Sequence, residues 1–163
     1  MKLKKTILIA LLLFASKNFA QNAFTSIETS DGIHYITPII DYPITGTYYF
    51  EGIEPIVELN ANGTGIYQLH DQPKREMVWG IECDENGAPI YSKGYDSIAY
   101  SLWYQYTSST ENNTFEGWKK VPFSIHFNTL KMYIQGERMK DYSETTEILE
   151  TPENPETPIT PEK

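Results

Sequence analysis

PIVELNANGTGIYQLH, residues 55–70, reads as a β-hairpin and sets the fold class. On its first arm Val57 and Leu59 fall on one side, Glu58 and Asn60 on the other. Successive strand side chains face opposite sides of a sheet, so one face is apolar and the other wet. Asn60-Ala61-Asn62-Gly63 is the turn, because Asn and Gly tolerate the positive φ that tight hairpin loops require. On the return arm Tyr67 and Leu69 take the apolar face, Gln68 and His70 the polar one. Gly65 marks a bulge or a close approach of backbone. A phosphate-binding loop at Asn62-Gly63-Thr64-Gly65 is the competing reading. Such a loop runs into a helix N-terminus, whereas a strand follows here.

The neighbouring segments repeat the pattern. Upstream, TGTYYFE (45–51) is a strand with Tyr48 and Phe50 on one face and Tyr49 on the other, broken by Gly52 and Pro55. Downstream, Asp71 to Arg75 is a polar turn. Met77 to Cys83 is then a strand carrying Met77, Trp79, Ile81 and Cys83 on one face. Asp84-Glu85-Asn86-Gly87 is a second hairpin turn. Ile98 to Thr107 alternates Ile98, Tyr100, Leu102, Tyr104 and Tyr106 against a polar face that also carries Trp103. Trp118 to Asn128 sets Val121, Phe123, Ile125 and Phe127 against Ser124, His126 and Asn128, and Lys131 to Gln135 is read as the last strand. Before the hairpin, Asp31-Gly32 is a turn signal, and Pro38 and Pro43 make His34 to Ile40 an edge strand or lead-in. The total is about seven or eight short strands with turns roughly every 8–12 residues and no long amphipathic helix. The expected fold is therefore all-β: an antiparallel up-and-down barrel or closed sandwich, closure being a way to remove exposed edges.

The ends of the chain differ from this body. Lys2, Lys4 and Lys5 followed by the apolar run Ile7 to Phe14, with Ala20 at the cleavage point, read as a secretory signal over residues 1–20. The run is short for a bilayer span, and no Cys follows it to carry a lipoprotein anchor. Residues 21–43 are a lead-in, 44–142 the folded domain, and 143–163 an acidic, Pro-rich tail. In that tail Glu144, Glu147, Glu150, Glu153 and Glu156 recur every third residue, as do Pro152, Pro155, Pro158 and Pro161. A polyproline II helix has about three residues per turn, so prolines and glutamates would line separate edges of an extended arm.

The chain carries 22 acidic and 13 basic residues, a formal −9. Removal of residues 1–20 takes four lysines with it and leaves 9 basic residues against 22 acidic, a net −13. That balance excludes nucleic acid as a partner and allows at most a peripheral place on a membrane. A single cysteine, Cys83, excludes a disulfide scaffold and a cysteine-based zinc site. In phase with Met77, Trp79 and Ile81, it reads as a buried apolar residue, a reactive thiol being the alternative.

Three stretches carry a family resemblance. Gly46-Thr47-Tyr48 opens the barrel-like part, ELNANGTG and MVWGIEC follow, and FSIHFNTLKMYIQGERMKDY closes it. Over residues 44–142 this resembles the small lipocalin-like (calycin-type) domains of exported bacterial proteins. In lipocalins a Gly-x-Trp motif opens the first strand, and an Arg after the last strand packs on that Trp. Here Tyr48 stands at the matching position, and Arg138 is the cation expected to stack on its ring. The resemblance implies a barrel that binds small apolar molecules.

Chemistry is sparse. His34, His70 and His126 show no metal-ligand spacing. Asp71 beside His70, and Ser124 near His126, suggest a triad without a strained nucleophile turn to support it. Glu82, Asp84 and Glu85 are read as a solvated hairpin rather than a calcium or glycosidase pair. Asp96-Ser97-Ile98 resembles an O-glycosylation site of exported Bacteroidetes-type proteins. No catalytic residue, metal or cofactor is assigned. Trp79, Tyr100, Tyr104, Tyr106 and Phe123 share the expected inner face, where they either fill a core or line an aromatic pocket. The expected function is a non-enzymatic, exported, monomeric binding protein for a small apolar ligand. The alternative is a protein-interaction or inhibitor module acting through surface aromatics, Trp103 and Trp118 among them.

Overall fold

The computed structural model describes residues 24–107 and 117–142. The secretory signal, the 108–116 loop and the Pro-rich tail lie outside the described residues.

Among the described residues eleven strands follow one another: β1 (Thr25–Thr29), β2 (Gly32–Thr37), β3 (Gly46–Phe50), β4 (Ile53–Leu59), β5 (Thr64–Tyr67), β6 (Arg75–Cys83), β7 (Tyr91–Lys93), β8 (Ser97–Tyr106), β9 (Lys119–His126), β10 (Lys131–Ile134) and β11 (Arg138–Asp141). All their pairings are antiparallel. Eight of them close a ring in chain order, β3-β4-β5-β6-β8-β9-β10-β11 and back to β3. This is the up-and-down barrel that the strand pattern predicts. The β1–β2 hairpin and β7 hang outside the ring, on β6 and β8.

The hairpin at the centre of the sequence is the β4–β5 pair. The Gly63 amide donates to the Asn60 carbonyl and the Asn60 amide to the Thr64 carbonyl, with Gly63 at φ +80°. That is a type I turn completed by a left-handed glycine. Asp84 to Ala88 repeats it bond for bond, with Gly87 at φ +85°. In each turn a carboxamide or carboxylate accepts from the backbone two residues on, Asn62 from Thr64 and Asp84 from Asn86, which holds the chain in the bend. Gly65 is a close approach: a Cβ there would run into the Glu58 carbonyl oxygen.

Because the ring is antiparallel, β4, β6, β9 and β11 all start from one end of the barrel, where β3, β5, β8 and β10 finish. The opposite end is plugged. Ile44 is buried there, Ile40 and Tyr42 pack beside it, and the Tyr42, Phe127 and Tyr142 rings meet with centroids 5.9–6.3 Å apart. Between the two ends the interior is one continuous apolar cluster from Tyr48 to Ile134.

Four expectations need correction. Leu69 does not continue the apolar face of β5. The strand stops at Tyr67 and Leu69 is 43% exposed. The Gln68 carbonyl is taken by the Arg138 guanidinium at 2.7 Å, and the chain turns away there. Lys131 to Gln135 is not the last strand, because β11 follows and closes the ring on β3 through Arg138–Phe50 and Met139–Tyr49. Trp103 is not on an exposed face. It is 4% exposed beneath Ile27 and Ile36 of the β1–β2 hairpin, with Trp118 packed alongside. Gly80 permits this cover, since a Cβ there would stand 2.8 Å from the Ile36 side chain. Finally, Arg138 lies over Tyr67 at 5.1 Å, whereas the Tyr48 ring meets Phe123 edge-on and its hydroxyl donates to the Ile44 carbonyl at 2.6 Å.

Candidate functional site

All five aromatic residues expected on the inner face are there, buried in the single interior cluster. They divide by depth and chemistry. Tyr100 and Phe123 face each other across β8 and β9 with ring centroids 6.2 Å apart. Trp79 is cross-strand to Tyr104, and its indole N–H donates to the Thr64 carbonyl at 2.8 Å. Tyr100 and Phe123 lie nearer the plugged end, and Trp79 sits level with Tyr104.

Tyr104 and Tyr106 belong to a different group at the end opposite the plug. Tyr67 stacks on Tyr104 at 4.5 Å with an interplanar angle of 12°. Tyr106 stands edge-on to both, at 5.5 Å from Tyr104 and 6.5 Å from Tyr67. Edge-on and offset arrangements suit the ring quadrupoles. Cations surround the three rings. The Arg75 guanidinium lies 3.6 Å over the Tyr106 face, and the Lys119 ammonium is 5.1 Å from the same ring. Arg138, 1% exposed, sits over Tyr67, donates to the Gln68 carbonyl and pairs with Glu137 at 3.2 Å. The Tyr67 hydroxyl donates to the Gln135 side chain at 3.0 Å. Burial pushes that hydroxyl above its ordinary pKa, against the pull of Arg138 in the other direction.

Sequence reasoning placed Tyr104 and Tyr106 inside but missed Tyr67 as their partner and Arg75 and Lys119 as neighbours. Strand parity carried the missing signal: Arg75 is in phase with Met77 and Trp79, and Lys119 with Val121 and Phe123.

The other candidate groups sit apart. His70 pairs with Glu137 at 3.7 Å and lies edge-on to Phe50, while His126 contacts Ser124 at 3.2 Å and the Tyr133 ring. The structure therefore does not bring His70 and His126 together. Glu82 leaves the acidic hairpin to bind Lys120 at 2.8 Å and His34 at 3.1 Å on the outer wall. Among the described residues no three His, Cys, Asp or Glu side chains are grouped to hold a metal. Ser97 is half-buried at the start of β8. A groove of about 490 Å³ lined by Thr47, Tyr49, Lys131, Met139, Lys140 and Asp141 runs along the outer wall.

Compared with protein-family models, curated proteins and solved structures, the chain finds no match.

Proposed function

We propose that this chain is an exported, non-enzymatic, lipocalin-like binding protein that holds a small molecule with an apolar body at the mouth of its barrel. The observation that carries this reading is the stack of Tyr67, Tyr104 and Tyr106, buried at the end of the barrel opposite Tyr42 and Tyr142. Aromatic faces with a few polar anchors beside them are the usual makings of a small-molecule site. Trp79, Tyr100 and Phe123 belong to the same buried cluster as those rings. The basic start and apolar run of residues 1–20 support export.

Native mass spectrometry of the mature protein from its own host tests this. A reproducible added mass, lost on denaturation and reduced in Tyr104→Ala, is the expected result. A bare polypeptide mass in both forms would count against it.

A protein-interaction role is the second reading, and a specific observation favours it. The excursion between β6 and β8 exposes Ile90, Tyr91 and Tyr95, the last of them 100% exposed. Large apolar side chains grouped outside a closed barrel suit a contact surface. Loss of a captured partner in Tyr91→Ser and Tyr95→Ser, with ligand binding retained, would favour this role.

A further inference from the structure

The end of the barrel closed by Ile44 carries aromatic rings on its outer side. Strands β9 and β11 finish there and β8 and β10 start, so separate connections bring their side chains together. Half-buried Tyr42, Phe127 and Tyr142 form the middle. Around them Tyr91 is 57%, Leu130 56% and Tyr95 100% exposed. The links between these residues are short. The Tyr142 amide donates to the Leu130 carbonyl, and the Phe127 amide to the carbonyl of Asp96, next to Tyr95. The Tyr91 ring lies 5.7 Å from Tyr100 at the start of β8. Large apolar side chains grouped in this way mark a contact site.

The chain itself supplies a segment of matching chemistry. Residues 143–163 follow directly from Tyr142 and carry Pro152, Pro155, Pro158 and Pro161. Prolines at every third residue line one edge of a polyproline II helix. Aromatic-lined surfaces take such helices because the segment is stiff before it binds and loses little entropy. The distance is within reach. Strand β7 lies four strand spacings from β11, about 20 Å. The ten residues from Tyr142 to Pro152 span about 30 Å when extended. Tethering keeps the local concentration of the segment high, so a weak contact is enough. Charge agrees at one point. The segment has six glutamates and one lysine, and exposed Lys93 stands two residues after Tyr91, on the same face of β7.

We infer that the Pro-rich tail docks, within its own molecule, on this aromatic end, with the prolines of residues 152–161 against the Tyr91 and Tyr95 rings. This rests on the contact-surface reading of Tyr91 and Tyr95 above and names the occupant. The tail then covers the surface that an outside partner would use.

A nitroxide placed on Glu156→Cys in the chain from Gln21 to Lys163 tests this by NMR, with the parent chain, whose Cys83 is buried, treated alike as the control. The expected result is loss of the Tyr91, Tyr95 and Leu130 amide signals, recovered when the label is reduced. The Asn62 and Gly63 signals should persist, although the β4–β5 turn lies closer to β11 around the ring than β7 does. Pro152→Ala, Pro155→Ala, Pro158→Ala and Pro161→Ala, made together, should restore the lost signals. Equal loss at both places, or loss that survives the four alanines, would show a tethered but undocked tail and overturn the inference. Loss that appears only when isotope-labelled chains are mixed with nitroxide-labelled ones would put the tail on a second copy and overturn its intramolecular form. No loss at all, with partner capture still abolished by Tyr91→Ser and Tyr95→Ser, would overturn the tail inference and leave the contact-surface reading standing. No loss and no capture would overturn both.

Discussion

Gly65 and Gly63 sit two residues apart in the central hairpin and are glycines for different reasons. Gly63 needs its left-handed φ of +80°, whereas Gly65 needs the absence of a side chain beside the Glu58 carbonyl. Gly63→Ala should therefore cost roughly 1–2 kcal/mol, the ordinary penalty of a left-handed residue. Gly65→Ala should cost about 3 kcal/mol or prevent folding, because backbone has to move. Urea unfolding of the two variants checks this, and equal losses would mean that the close approach is not what requires Gly65. Cys83 gives a second prediction at this scale. Burial, with Asp84 and Glu82 adding, pushes its thiol pKa up to about 11. Since the thiolate is the reactive form, the native protein should resist labelling by a disulfide reagent at mildly alkaline pH, and the denatured protein should react fully. Fast labelling of the native protein would show that the thiol is reachable and ionised. The apolar phase of Cys83 with Met77, Trp79 and Ile81 was legible in the sequence. The role of Arg138 was legible only in part: a cation against an aromatic ring was expected, but the ring is Tyr67, which reaches it from a strand some seventy residues earlier.

The β1–β2 hairpin is the element with the most identifiable fastening. Three residue pairs tie β2 to β6, Ile36 fills the space left by Gly80, and Phe24 packs over Gly87. Glu82 adds an electrostatic tie to His34 of β2 and Lys120 of β9. Burial alone would raise the Glu82 pKa, yet the Lys120 ion pair and hydrogen bonds from Ser101 and His34 bring it below its ordinary 4.5. A carboxylate lowered in the folded state adds stability that is present above its unfolded pKa and lost as pH falls through the folded value. Acidification below about pH 4.5 should thus loosen the hairpin and wet Trp103, seen as a red shift in tryptophan emission. In Glu82→Gln that step should be absent, and a step of the same size would mean that another group governs the loosening. The two elements hardest to foresee fail for opposite reasons. The cover over Trp103 was hidden because an aromatic residue on an otherwise polar face does not announce what lies above it. Strand β11, Arg138-Met139-Lys140-Asp141, was hidden because it sends Arg138 inward, so apolar alternation cannot reveal it. Strands β3, β5, β6, β8, β9 and β10 were legible, as was β4 from Val57 onward, where Val57 and Leu59 alternate with Glu58.

At the scale of the whole molecule, the ring gives the two ends of one barrel different characters. One is plugged by Tyr42, Phe127 and Tyr142; towards the other, buried tyrosines lie against cations. No single stretch of sequence holds that contrast, because Arg75, Lys119 and Arg138 come together only once three separate strands start from the same end. Ring closure also predicts where the chain can be cut. A protein ending at Tyr142 contains all eight strands of the ring and should melt at the same temperature as the longer chain. One ending at Gly136 lacks β11 and should fail to give a cooperative melt. A cooperative melt from the shorter form would show that β3 and β10 can be left unpaired. The closing contact joins Tyr49 to Met139, the first and last strands of the barrel. During synthesis from the N-terminus, β3 must therefore wait with one side bare until nearly the whole domain has emerged. Its own partner arrives last, and any neighbouring nascent chain with a bare strand arrives sooner. The interval in which β3 is bare, rather than weakness of the finished barrel, is then the stage at which this protein is most exposed to misassembly.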